Sequence, residues 1–367
     1  MCEEAFINAE IGVFWNVVEC PIPEGLNPDS VYRNIKSGLR LMGYRGDVST
    51  TFWAYSKKIS EELSDDYSAA GITMEHVRGH KWRVDIMTKD ILFFALQNPN
   101  KPANMLVIAD HMSRKPELVR VLQVLKSRNI NVVVAQTGGR VPVELHGIVS
   151  SVCLSRRLLA RGNATLLELD ADQKNVMNPN FSLHDSELSD YSVGNTGVFW
   201  DTKDCPNPNA LESDFYLIGK SIKSCLADMD KSGSMLSWIS AYEDGGKVTV
   251  WNGGTETRMV SHQGDRLRRM SLDILLWAID NRVGQYDRDR RPNVIVISRN
   301  IPKTRDFILP LKCLISRCNI IFGLPDEVKS HSWKTASVIN FGAPFFSSGS
   351  SQRRGNTKRD KKPFLVR

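Results

Sequence analysis

Residues 12–21 read GVFWNVVECP, and residues 197–206 read GVFWDTKDCP. An apolar run of strand length, closed by a cysteine and a proline, is written twice, with Cys20 and Cys205 holding the same place. The residue after the tryptophan differs: Asn16 in the first copy, Asp201 in the second. Further pairs follow in the same order. Ile35-Lys36-Ser37 matches Ile222-Lys223-Ser224, Tyr55 matches Tyr242, DILFFALQN from Asp90 matches DILLWAIDN from Asp273, and NMLVIA from Asn104 matches NVIVIS from Asn293. The offset stays between 183 and 189 residues. A steady offset over most of the chain predicts a duplicated unit.

The first copy reads as alternating strands and helices. IGVFW is a strand, and LNPDS starts a helix with Asn27 as N-cap and Pro28 at the first helical position. Val31, Ile35 and Leu39 recur on one face, and Gly43 ends the helix. DVSTTFWAY and ITMEHV read as strands, DILFFAL as a helix apolar on nearly every side, and NMLVIAD as a strand. PELVRVLQVLKSR is an amphipathic helix and NVVVAQ the last strand. The second copy follows the same order and ends soon after NIIFGLP. The alternation predicts an α/β fold of two three-layer α/β/α domains, each with a mainly parallel central sheet.

The boundaries expected are an N-terminal tail 1–8, domain 1 at 9–158, an acidic linker 159–192, domain 2 at 193–346 and a disordered basic tail 347–367. The tail holds seven Lys or Arg and one Asp, so it carries most of the chain's net charge of +7. The body, with 41 basic and 40 acidic residues, is nearly neutral. A Ser/Gly-rich basic arm attracts nucleic acid through phosphate charge without reading sequence, and it equally suits an import signal or a solubilising end. Apolar content of 41% and charged content of 24% are those of a globular protein. No apolar run reaches a membrane span, the N-terminus is acidic, and the C-terminal FLVR is not a peroxisomal tripeptide, so an intracellular protein is expected. Seven cysteines without a C-x-x-C pair read as free structural thiols and give no support to a zinc site.

In open parallel α/β sheets, ligands bind at the carboxyl ends of the strands, and acidic residues collect there. The second copy offers Asp201, Asp204, Asp273 and Asp306; the first offers Asn16, Glu19, Asp90 and Glu117, with Asp85 and Asp110 nearby. Carboxylates converging from several strands hold Mg²⁺ or Mn²⁺, which lowers the pKa of bound water and neutralises charge on a phosphodiester. Taken singly, each acid is explained as a helix cap or dipole partner, Asp90 and Asp273 above all. Their joint placement is what points to a site.

The motifs VFWDTKDCP, DILFFALQNP and NMLVIAD resemble the NYN domain family, a branch of the PIN-like nucleases. The tandem arrangement resembles the plant type related to the meiosis regulator and mRNA stability factor. The resemblance covers about 9–158 and 193–325. It implies a PIN-like fold, descent from endoribonucleases that use Mg²⁺ or Mn²⁺, and a role in RNA turnover and regulation of gene expression, with peroxisomal association in some relatives. By that resemblance the first-strand acid is Asp201 in copy two and Asn16 in copy one, and the helix acid is Asp273 and Asp90. The acid after the fourth strand is Asp110 in copy one, one position early. In copy two Arg299 and Asn300 stand there. Neither copy carries the full pattern, so a scaffold that binds RNA or protein partners without cutting is the alternative.

Two basic stretches precede the helix acids. RGHKWRVD holds Arg78, His80, Lys81, Trp82 and Arg83, and HQGDRLRRMSLD holds Arg266, Arg268 and Arg269. Each alone reads as a solvated loop. Recurring in both copies, with an aromatic for base stacking in the first, they suggest a rim that contacts RNA, together with Arg299. Trp15, Trp53, Trp200, Trp238 and Trp277 fall in core patterns, and His76, His80 and His262 are not spaced as a metal cluster. No G-x-S-x-G, Walker A or G-x-G-x-x-G stretch occurs. DTKD faintly suggests a phosphatase loop, but its acids are three apart instead of two.

Overall fold

The apolar run that opens each copy forms an interior strand of a seven-stranded sheet. The computed structural model describes residues 3–48, 51–98, 101–167, 196–205, 219–220, 222–223, 236–251, 257–261, 265–281, 291–298, 305–325 and 337–341. The chain divides into two compact units, Met1–Asp185 and Ser186–Arg367.

Unit 1 opens with a short helix α1 (Glu4–Ile7) and strand β1 (Glu10–Asn16). Helix α2 (Pro28–Leu41) begins as expected: the Asn27 side chain accepts from the Ser30 N–H at 2.9 Å, and Pro28 occupies the first turn. Its Val31, Ile35 and Leu39 are buried. Then come β2 (Phe52–Ser56), α3 (Glu61–Ala69), β3 (Thr73–His76), α4 (His80–Gln97), β4 (Ala103–Ile108), α5 (Pro116–Lys126), β5 (Ile130–Gln136), β6 (Ser151–Leu154), α6 (Ser155–Arg161) and β7 (Leu166–Leu167). The sheet order is β3-β2-β1-β4-β5-β6-β7, parallel throughout except for β7 against β6.

Alternate residues of β1 face opposite layers, as the two-residue period of a strand requires. Ile11, Val13 and Trp15 pack with Val31 and Ile35 of α2, Tyr67 of α3 and Leu158 of α6. Phe14 meets Phe94 of α4 edge-on, ring centroids 5.9 Å apart. Helices therefore cover both faces, α2, α3 and α6 on one and α4 and α5 on the other.

Four details depart from the sequence expectation. Strand β2 starts at Phe52, after the polar stretch DVSTT. Helix α3, capped by Ser60 accepting from Leu63 N–H, lies where no helix was expected. NVVVAQ is not the last strand, since β6 and β7 follow. Helix α6 and β7 carry the ordered unit past residue 158, into the stretch read as linker.

Unit 2 contains β8 (Thr196–Asp201), β9 (Leu236–Glu243), β10 (Lys247–Trp251), β11 (Thr257–Ser261), α7 (Arg266–Asp280), β12 (Asn293–Ile297), α8 (Arg305–Leu314), β13 (Asn319–Pro325) and β14 (Ser337–Phe341). The sheet order is β11-β10-β9-β8-β12-β13-β14. Strands β8, β9, β12, β13 and β14 run parallel, but β9, β10 and β11 form an antiparallel meander. The expectation that copy two follows copy one fails here. The turn EDGG, with Gly245 and Gly246 at φ +78° and +77°, closes a tight hairpin where unit 1 crosses over through α3. The second unit also continues beyond NIIFGLP to β14, which pairs with β13. The basic tail 347–367 and most of the linker lie outside the described residues.

Burial accounts for the thiols. Cys20, Cys153, Cys205 and Cys318 are buried and unbridged, and burial pushes the Cys20, Cys153 and Cys318 thiols up to about 12. No described helix is long and apolar enough to cross a membrane.

Candidate functional site

In unit 1 the chain leaves β1 toward β2 and β3 on one side, then returns to build β4 and β5 on the other. The switch point of such a sheet, between β1 and β4, opens a crevice at the strands' carboxyl ends. Asn16 ends β1, and Asp110 stands two residues beyond β4. The turn after β1 is fixed from beneath: Trp15 Nε1 donates to Cys20 O at 2.7 Å, and the Glu19 and Cys20 amides donate to Asn16 O. That turn aims Glu19 into the crevice.

The Glu19 carboxylate is fully engaged. Oε1 lies 2.6 Å from His80 Nε2, while Oε2 accepts from Asp110 N–H at 2.8 Å and from Lys115 Nζ at 3.0 Å. Lys115, itself buried, also donates to Asp110 O. Asp110 accepts from His111 N–H and from the Thr137 hydroxyl, which closes the crevice from the end of β5. Asp90 lies on α4 and accepts from Tyr55 OH at 2.8 Å. Burial pushes its carboxyl up to about 7, against the opposing hydrogen bond from Tyr55. Asp85 is buried within α4, and Glu117 is paired with Arg120 inside α5 at 3.0 Å.

Unit 2 has the same frame: Trp200 Nε1 donates to Cys205 O at 2.7 Å, and Tyr242 OH to Asp273 at 3.0 Å. Its acids, however, are held by arginines. Asp201 has no exposed surface and meets Arg266 at both oxygens, Nε to Oδ1 at 2.7 Å and Nη2 to Oδ2 at 3.1 Å. Burial raises the Asp201 carboxyl and Arg266 opposes the rise. Arg266 also reaches Asp244 at 2.7 Å. Asp273 accepts from Arg269 Nε at 2.9 and 3.2 Å. Asp204 accepts from Ser298 Oγ at 2.6 Å and turns its N–H to Asp201.

This donor set does not fit a hard divalent cation. Such an ion needs several free, charged oxygens around one point. Here Asn16 brings no charge, Glu19 already holds an ammonium, and Asp201 and Asp273 each hold a guanidinium. Among the described residues, no group of three His, Cys, Asp or Glu side chains is placed to share an ion.

The basic stretches are also repositioned. RGHKWRVD is not a loop throughout: His80 to Asp85 form the first turns of α4. Arg78, His80, Lys81 and Trp82 are exposed, Trp82 at 51%. Arg83 and Arg269 leave the expected rim, because their guanidiniums turn inward, to Val77 O and to Asp273. Arg266 is likewise turned inward, and Arg268 is half-buried, its N–H capped by Asp265. His76 is exposed, with Nδ1 3.4 Å from Lys57 O. Arg299, Asn300 and His262 lie outside the described residues, as does the side chain of Asp306. The sequence reading missed Lys115 and Thr137, since their partners lie 96 and 27 residues away and no spacing signals them.

No curated protein matches the chain. The profile of the NYN domain matches residues 10–145, the span from β1 through the turn after β5. The parallel sheet between helical layers is consistent with the PIN-like α/β/α architecture, and residues 10–145 are similar to the NYN domain.

Proposed function

We propose that this protein binds RNA through its NYN domain and acts in RNA turnover and the regulation of gene expression without a divalent-metal cleavage step. One observation carries the reading: the crevice acids of both units are engaged by the chain's own residues, Glu19 by Lys115 and His80, Asp201 by Arg266, and Asp273 by Arg269. The contact surface is the start of α4, where exposed Trp82 stands beside Lys81 and Arg78. His80, linked to Glu19, ties that turn to the crevice. An indole offers a stacking face to any base, and the flanking cations follow the backbone. The basic tail adds a non-specific phosphate contact.

Binding of single-stranded RNA by the full chain in a chelating buffer tests this. Trp82→Ala should weaken it by roughly 5- to 100-fold, the usual worth of one stacked base, and leave folding unchanged because the ring is exposed. Equal affinity of wild type and variant would move the contact elsewhere. A second reading, a metal-dependent endoribonuclease using Mg²⁺ or Mn²⁺, draws on the family and on Asp90 and Asp110, which flank the same crevice.

A further inference from the structure

Two buried side chains of unit 1, Asn16 at the end of β1 and Arg83 two helical turns before Asp90 on α4, have hydrogen-bonding atoms without a partner among the described residues. Asn16 is 1% exposed, and neither its amide nitrogen nor its amide oxygen is met among the described residues. Arg83 is 2% exposed; its Nη1 donates to Val77 O at 3.3 Å, and its Nε is unmet. Buried polar groups are almost always satisfied, by protein, water or ligand, so two such residues call for an occupant.

Unit 2 shows what the arrangement balances. Asn16 and Asp201 end the first strand 185 residues apart, and Arg83 and Arg266 stand seven positions before Asp90 and Asp273. The shared Trp-to-Cys and Tyr-to-Asp hydrogen bonds put both pairs in one frame. In unit 2 the pair is carboxylate and guanidinium in contact. Unit 1 keeps the cation and has lost the anion.

We propose that Asn16 and Arg83, held as Asp201 and Arg266 are in unit 2, bind a phosphate monoester or inorganic phosphate, with Arg83 supplying charge and Nε–H and Asn16 supplying an N–H donor and an acceptor oxygen. A guanidinium favours an oxyanion with several acceptor oxygens. A phosphate near its second pKa of about 6 also carries an O–H to give to the Asn16 oxygen. An internal phosphodiester lacks that hydrogen, so on RNA the ligand is a terminal phosphate. The RNA part rests on the function proposed above; the phosphate part does not.

The test is thermal unfolding of the full chain in inorganic phosphate and in choline chloride of equal ionic strength. Phosphate should raise the melting temperature of wild type beyond the chloride control, as a native-state ligand must. Asn16→Asp, which writes the unit 2 pair into unit 1, should melt higher without phosphate and lose the extra response. A wild-type response no larger than in chloride, an undiminished response in Asn16→Asp, or a lower melting temperature for that variant would each overturn the site. A second arm compares RNA ending in a phosphate with the same RNA ending in hydroxyl. Several-fold tighter binding of the phosphorylated RNA, lost in Asn16→Asp, assigns the site to RNA ends. Equal binding beside a positive phosphate response overturns that assignment and leaves free phosphate as the ligand. Absence of all RNA binding strikes the functional reading alone.

Discussion

Arg266 decides the chemistry of the second crevice. Its guanidinium opposes the rise that burial imposes on the Asp201 carboxyl. Arg266→Gln would leave a buried carboxylate uncompensated, a change that costs about 3–5 kcal/mol, and a large fall in the melting temperature of the full chain should show it. Asp90 behaves differently. Its carboxyl is raised to about 7 by burial, so the folded state holds that proton more tightly than the unfolded state does. Stability from this group is therefore full below the unfolded pKa, near 4, and is lost as pH rises toward 7. Asp90→Asn keeps an acceptor for Tyr55 OH and removes the loss. It should flatten the pH–stability curve between about 4 and 7 and gain on the order of 4 kcal/mol above that range; a parallel pair of curves would contradict it. At this scale the sequence was half legible. The recurrence of Asp90 with Asp273, and of Asn16 with Asp201, was legible from the repeat, and each pair holds the same place in its unit. The inward turn of Arg266, Arg269 and Arg83 was not legible, because sequence shows a charge but not the direction in which a long side chain folds back.

Between elements, one packing device occurs in both units. A glycine on the first strand lets an aromatic ring of the following buried helix press onto the backbone. A Cβ at Gly12 would meet Phe14 at 2.9 Å and Phe94 at 3.1 Å, and a Cβ at Gly197 would meet Trp277 at 2.6 Å. Phe199 and Trp277 meet edge-on at 6.1 Å, as Phe14 and Phe94 do. Gly197→Ala should thus force Trp277 aside and cost roughly 1–3 kcal/mol, measurable by chemical denaturation with m unchanged. Most elements were legible from period alone, because α2 and α5 show one apolar face and β1 and β4 are continuous apolar runs. Helix α3 was not, since EELSDDYSA buries only Tyr67. The β10–β11 meander was not either, because its pairing is decided by the EDGG turn more than by any apolar pattern. The start of α4 was set ten residues too late, since HKWRVD carries its charges before the helix turns inward.

For the whole molecule, charge is distributed to match the proposal. The body is nearly neutral and the tail strongly basic, while the described crevices close their own ion pairs. Among the described residues, no three His, Cys, Asp or Glu side chains are placed to share a divalent ion. Contact with RNA and hydrolysis of it are therefore separate properties under the proposed function. A Mn²⁺-dependent cleavage assay on single-stranded RNA tests this separation most directly, using the full chain with Asp201→Asn, Asp90→Asn and Asp273→Asn beside it. The account predicts that wild type binds the RNA and leaves it intact with or without Mn²⁺. Cleavage that requires Mn²⁺ and disappears in any of the three variants would contradict it.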